Sequence, residues 1–170
     1  MRSRPAIAVV LSLLCGAALA GPEGTPRSGA PMTGVSAAPA DDRPADFLLR
    51  TPDGRPVALK PLLGKKPVLL VFWATWCPTC IGTIPKLNSL HAGPSGGKVQ
   101  VLGLDYMETP EKVSAAVRSN GIRYPVLLDE NGKVARAYGV FGIPAYILID
   151  RTGRIVYRDN VLPDDIERRL

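Results

Sequence analysis

Six consecutive apolar residues, Val68-Leu69-Leu70-Val71-Phe72-Trp73, run through Ala74-Thr75-Trp76 into two cysteines, Cys77 and Cys80, separated by Pro78 and Thr79. An unbroken β-branched and aromatic run of this kind reads as a strand buried on both faces. Beyond it, Ile81, Ile84, Leu87 and Leu90 recur at helical spacing over Thr79–His91, so the chain passes directly from buried strand into amphipathic helix. The two cysteines are therefore presented where a strand ends and a helix begins.

That junction places Cys77 at a helix N-terminus, where unpaired backbone N–H groups and the positive end of the dipole favour the thiolate. Cys77 is the expected nucleophile. Cys80, one turn further in, is within its reach and is expected to be more buried, which suits it to resolve a mixed disulfide. A half zinc site is a blander reading, but a closed site needs four ligands and the chain offers only Cys15 and the lone His91 besides this pair. A structural staple is another, but closing so short a loop removes little chain entropy. Redox exchange is the reading the spacing favours.

The 170 residues suffice for one domain once the N-terminal region is set aside, and 46% hydrophobic content supports a real core. The formal charge is +6, of which Arg2 and Arg4 supply two. The remaining basic residues stand singly or in pairs such as Lys65-Lys66, without the dense cluster that a nucleic-acid footprint needs. Met1–Ala20 opens with those arginines, continues through an apolar run from Ala6 to Leu14 and ends in Ala18-Leu19-Ala20, the pattern of a cleavable export signal. An uncleaved N-terminal anchor is the alternative. Cys15 follows bulky Leu13-Leu14 and reads as part of that signal, which leaves Cys77 and Cys80 as the only thiols of an exported domain. Gly21–Pro44 is rich in Gly, Pro, Ala, Ser and Thr with no periodic apolar face, and reads as a flexible linker.

The domain is expected over residues 45–170. Phe47–Arg50 and Pro56–Leu59 flank the turn sequence Thr51-Pro52-Asp53-Gly54-Arg55 and predict a β-hairpin. Pro85 falls inside the helix after the cysteines, and a Gly-rich loop follows at Gly93–Gly97. Val99–Asp105 predicts a strand, then Thr109 as N-cap and Pro110 at the first helical position open a helix to Asn120, stopped by Gly121. Tyr124–Asp129 reads as extended and Val134–Tyr138 as a short helix. Ala145–Asp150 and Ile155–Arg158 form a second hairpin, and Asp164–Leu170 a final helix. Strands alternating with helices predict an α/β fold: a central mixed β-sheet flanked by helices, with Cys77 at the strand C-terminal edge where substrate chemistry is expected. Pro144 precedes the strand from Ala145, and by spacing alone it is an ordinary edge proline.

Taken together, Trp73-Ala74-Thr75-Trp76-Cys77-Pro78-Thr79-Cys80, Pro85, Tyr138-Gly139-Val140-Phe141-Gly142-Ile143-Pro144 and Leu148-Ile149-Asp150-Arg151-Thr152-Gly153 resemble the TlpA and ResA-like family of thioredoxin-fold proteins, in order, from about Asp46 to Leu170. The resemblance implies a thioredoxin-like fold with an N-terminal β-hairpin and a β-α insertion over Val99–Asn120. It implies a periplasmic or membrane-facing thiol-disulfide oxidoreductase, usually a reductase serving cytochrome c maturation or another extracytoplasmic thiol client. By resemblance Pro144 is a cis-proline packed against the cysteine pair, the Ile143 backbone binds an extended client segment as an added strand, and Trp76 flanks Cys77. Protein thiol or disulfide clients and a membrane electron donor are the implied partners, with no cofactor, no stable metal and a monomeric state.

Three positions depart from the family pattern. Thioredoxins place a buried carboxylate where this chain has Val71, and ResA-like proteins place a Glu where it has Thr83. Asp105 and Glu108 are the carboxylates left to accept the Cys80 proton, and the acceptor stays unassigned. Ala145 stands where cytochrome c maturation thioredoxins carry an acid, which weakens that particular client. Three rival readings remain. A disulfide donor or isomerase of the same fold differs only in direction, which Pro78 and Thr79 tune through thiolate stability. A peroxiredoxin-like peroxidase would place a Thr where Ala74 stands. The third is a non-catalytic copper- or client-binding module; copper carriers of this fold usually space their cysteines by three residues and add a distant His, whereas here the spacing is two and His91 lies on the redox helix.

Overall fold

The structure, a computed structural model, describes residues 42–92 and 97–169, apart from the side chain of Glu167. The export signal read over Met1–Ala20, most of the linker read over Gly21–Pro44 and most of the Gly93–Gly97 loop lie outside the described residues. Seven strands form one sheet: β1 (Leu48–Arg50), β2 (Pro56–Ala58), β3 (Val68–Trp73), β4 (Gln100–Tyr106), β5 (Val126–Asp129), β6 (Ala145–Ile149) and β7 (Ile155–Asp159). Among the described residues three α-helices accompany it: α1 (Pro78–Ala92), α2 (Pro110–Ser119) and α3 (Lys133–Ala137). The strand order is β2-β1-β5-β4-β3-β6-β7, with β3, β4 and β5 parallel and every other pairing antiparallel. This is the mixed sheet of a thioredoxin-like fold.

The unbroken apolar run of β3 follows from its position between β4 and β6. Successive side chains of a strand alternate between faces, so Leu69, Val71 and Trp73 join one core with Ile84, Leu87 and Leu90 of α1 and Val113 and Ala116 of α2. Val68, Leu70 and Phe72 join the opposite core with Leu59 and with Ala135 and Tyr138 at α3. All six residues are buried, as the sequence pattern requires of a strand covered on both sides.

Some boundaries move. The first hairpin forms, with Gly54 at φ +87° in a turn that Thr51 Oγ1 closes by accepting the Arg55 N–H. The strand expected from Tyr124 begins only at Val126, after Pro125, which has no N–H to give a ladder. The final helix expected over Asp164–Leu170 is reduced to a 3₁₀ turn, Ile166–Arg169. Among the described residues of this tail, Leu162 and Ile166 are the buried apolar ones, a narrow face for a longer helix. Packing also begins before Ala45: the Asp42 carbonyl accepts the Ile155 N–H at 2.6 Å and its carboxylate pairs with Arg154 at 2.6 Å.

Two pairings decide where chemistry can occur. Because β6 runs antiparallel to β3 with Phe72 opposite Ala145, the start of β6 lies beside the end of β3. Because β4 runs parallel to β3 with Trp73 opposite Asp105, the end of β4 lies there too. Three loops therefore converge on one sheet edge.

Candidate active site

Cys77 and Cys80 are joined as a disulfide, with an S–S distance of 2.09 Å and Cα atoms 5.3 Å apart. Cys77 lies just ahead of α1, whose first residue is Pro78, a residue suited to a position whose N–H would be orphaned anyway. Its N–H donates to the Ala74 carbonyl at 3.2 Å and its carbonyl accepts from Ile81 at 3.1 Å. Its Sγ accepts the Cys80 N–H at 3.2 Å, so the sulfur occupies the place that a capping oxygen takes at other helix starts. The expected contrast in burial is absent: the two residues are 5% and 3% exposed. The bond holds the Cys77 side chain against the helix end, so position along the chain, not burial, distinguishes the two sulfurs.

Trp76, Pro78 and Thr79 are exposed around this pair, while Ile143 is half-buried and Pro144 buried across the edge. The Ile143–Pro144 peptide bond is cis, not the ordinary edge proline of spacing alone. The loop ahead of it is held from β7 and the residue that follows it. Asn160 Nδ2 donates to the Pro144 carbonyl at 2.5 Å and lies 3.4 Å from that of Gly142, and an Arg158 guanidinium N–H donates to the Tyr138 carbonyl. Neither residue was marked by the sequence. Tyr146 pairs with Asp159 in the β6–β7 hairpin, so correct register would have placed Asn160 beside Ala145 and its proline.

On the other flank stand two carboxylates. Glu108 accepts the Thr75 N–H at 2.6 Å and the Thr75 hydroxyl at 2.8 Å, and pairs with Lys112 at 2.8 Å. Asp105, fully buried, accepts the Glu108 N–H on Oδ1 at 3.2 Å, while its Oδ2 has no hydrogen-bond partner. Burial first, and then the negative charge of Glu108, push the Asp105 carboxyl up to about 8. Glu108 is held below its ordinary range despite its burial, by the bonds from Lys112 and Thr75. Thr75 was part of a quoted motif but had no assigned role, because nothing in its type foretells a partner 33 residues away.

At Thr83, where the family pattern has an acid, the hydroxyl donates to the Cys80 carbonyl at 2.8 Å and accepts the Tyr146 hydroxyl at 3.2 Å. Burial pushes the Tyr146 phenol further up, so this side supplies no neutral-pH base. Among the described residues no group of three or more His, Cys, Asp or Glu is placed to hold a metal, and no helix is long and apolar enough to cross a membrane.

Comparison with known proteins agrees with this geometry. A profile of the AhpC/TSA family matches residues 40–158. Thiol-disulfide oxidoreductase ResA of Bacillus thuringiensis subsp. konkukian is 32% identical over 111 residues, 65% of this chain and 64% of that protein. ResA of Geobacillus thermodenitrificans is 31% identical over 127 residues, 74% of this chain and 72% of its own length. The chain thus spans slightly less than two thirds of the first curated relatives it matches. Among solved structures, MTB DsbF in its mixed oxidised and reduced forms superposes with a TM-score of 0.64 at 32% identity, covering 72% of this chain and 91% of that one. A secreted Mycobacterium tuberculosis disulfide oxidoreductase homologous to E. coli DsbE gives 0.63 at 25% identity, covering 72% and 92%.

Proposed function

We propose that this chain, which belongs to the AhpC/TSA family, is an extracytoplasmic thiol-disulfide oxidoreductase that reduces protein disulfides through Cys77 and Cys80. The observation that carries the reading is the pair itself: two cysteines bonded at 2.09 Å, the first ahead of a helix N-terminus and the second inside it, opposite a cis-proline loop. The relatives named thiol-disulfide oxidoreductase support the reaction class, and the secreted M. tuberculosis relative supports a place outside the cytoplasm.

The steps follow from thiol chemistry. Cys77 thiolate attacks one sulfur of a client disulfide, forming a mixed disulfide and releasing the second client sulfur as a thiolate, which takes up a proton. Cys80 then loses its proton and attacks Cys77 Sγ. The bond to the client breaks, the client leaves as a dithiol, and the domain is left oxidised with two electrons passed on. A dithiol donor at the membrane must restore it. Trp76 and the Ile143 backbone bind the client, which adds as an extended strand beside the cis-proline loop. The clients are protein disulfides, cytochrome c maturation being one setting, and the protein acts as a monomer.

Two measurements test this. Equilibration in thiol buffers, followed by tryptophan fluorescence, is expected to place the couple near the value of thioredoxin, about −270 mV; a value of about −120 to −180 mV would instead make the protein a disulfide donor or isomerase. Cys80→Ser is expected to accumulate a mixed disulfide with an oxidised client and Cys77→Ser to trap nothing. Trapping through Cys80 alone would reverse the assigned order.

A further inference from the structure

We propose that Asp105 and Glu108 act as one positioning unit for the redox loop, with Asp105 kept protonated so that the single negative charge of Glu108 can hold Thr75 beside Cys77. The inference deepens the proposed thiol exchange and rests on it for its importance to turnover.

Three observations carry it. Thr75, two residues ahead of Cys77, is fastened to Glu108 twice, through its N–H at 2.6 Å and its hydroxyl at 2.8 Å. Lys112 Nζ, 2.8 Å from the same Oε1 that meets the Thr75 hydroxyl, favours the ionised carboxylate, which accepts from all three donors. Glu108 is in turn held through its own N–H by Asp105 Oδ1, so the β4–α2 turn is fixed to the strand beneath it. Asp105 Oδ2, finally, is buried with no hydrogen-bond partner. A buried ionised carboxylate with one unpartnered oxygen beside a second anion is costly, whereas the protonated acid removes the like charge.

The electrostatics agree: Asp105 is pushed up to about 8 by burial and Glu108, while Glu108 is held down by Lys112 and Thr75. The charged groups acting on Asp105 are Glu108 and, more weakly, Lys112. β3 presents Trp73 and β5 presents Leu128 in register with it, neither titratable. The sequence from Ala74 to Ile84, the loop before α1 and its start, contains only Cys77 and Cys80 as titratable residues. Ionisation of Asp105 would therefore place a second negative charge next to the one that holds Thr75, opposing both that grip and formation of the Cys77 thiolate.

The test is the pH dependence of Cys77 alkylation in the reduced full-length protein, using iodoacetamide and following the Cys77 peptide separately, from pH 5 to 10. Two ionisations are expected in the native protein: that of the thiol and a second near pH 8, above which reactivity is several-fold lower than extrapolation of the first predicts. Asp105→Asn, which keeps shape and cannot ionise, is expected to remove the second. Glu108→Gln is expected to move it to lower pH, since Asp105 would lose its negative neighbour. A single ionisation in the native protein, or an Asp105→Asn profile that overlays the native one, would overturn the proposal. Should Asp105→Asn not fold, the displacement in Glu108→Gln decides: an unmoved second ionisation overturns it. Alkylation needs no client, so an intact pH profile in a protein that fails to reduce client disulfides would defeat the proposed function and leave this inference standing.

Discussion

At Thr75 a backbone N–H and a side-chain hydroxyl both end on the Glu108 carboxylate, although the residue sits in a short loop with Trp76 exposed beside it. Hydrogen bonds to charged acceptors are worth more than neutral ones, and this acceptor is largely shielded from water. Thr75→Val keeps the β-branched shape and removes only the hydroxyl bond. It is expected to destabilise the oxidised protein by about 1.5 kcal/mol, lowering Tm by roughly 3–6 °C. Thr75→Ser, which restores the donor, is expected to recover most of that. Thermal denaturation of the three proteins checks it, and a Val variant as stable as the native protein would mean that the hydroxyl bond contributes nothing. The neighbouring alanine bears on the rival peroxidase chemistry: Ala74 leaves no hydroxyl three residues before Cys77 to meet a peroxide oxygen, so consumption of hydrogen peroxide is expected to stay at the level of a simple thiol.

Among the elements, β3 and α1 were legible because each obeys one period throughout, two-sided burial in the strand and a spacing of three and four in the helix. The cysteine pair was legible for the same reason, since it occupies the joint between the two patterns. What stayed hidden depends on pairing partners distant in sequence. Asn160 meets Pro144 only because the β6–β7 hairpin has one particular register, and Glu108 meets Thr75 only because β4 lies parallel to β3 with Trp73 opposite Asp105. The shortened terminal helix shows the converse, a polar run with helical spacing but too little apolar face to dock. Asn160 is then a place to test the cis-proline loop apart from the cysteines. Asn160→Ala removes the donor to the Pro144 carbonyl while leaving the disulfide untouched, so the KM for a protein disulfide is expected to rise several-fold with the reduction potential unchanged. Steady-state reduction of a protein disulfide beside thiol-buffer equilibration would show it, and a shifted potential with unaltered KM would place Asn160 with the sulfurs instead of the client.

For the whole molecule, perturbed titratable groups set how stability should vary with pH. Asp105 is raised to about 8 when folded and falls in the ordinary carboxylate range when unfolded, so the folded state holds a proton the unfolded state has lost between those limits. Its contribution is complete below the ordinary range and is lost progressively as pH rises towards 8, after which it is level. Glu108 and Asp150 act in the opposite sense, because both are held below their ordinary values; they add stability above that range and lose it as pH falls. His91 is lowered, chiefly by burial, and it too costs stability as pH falls through its ordinary value, opposing Asp105 on the acid side of neutrality. The balance places the optimum on the mildly acidic side, with a decline towards pH 8.5 that depends on one residue. Asp105→Asn cannot exchange that proton and is expected to flatten the alkaline decline while leaving the acid limb, to which Glu108, Asp150 and His91 contribute, in place. Differential scanning calorimetry of the oxidised protein and the variant between pH 4.5 and 9 separates the two limbs. Parallel alkaline slopes in the two proteins would mean that Asp105 ionises at the same pH folded and unfolded, and that its burial beside Glu108 costs the fold nothing.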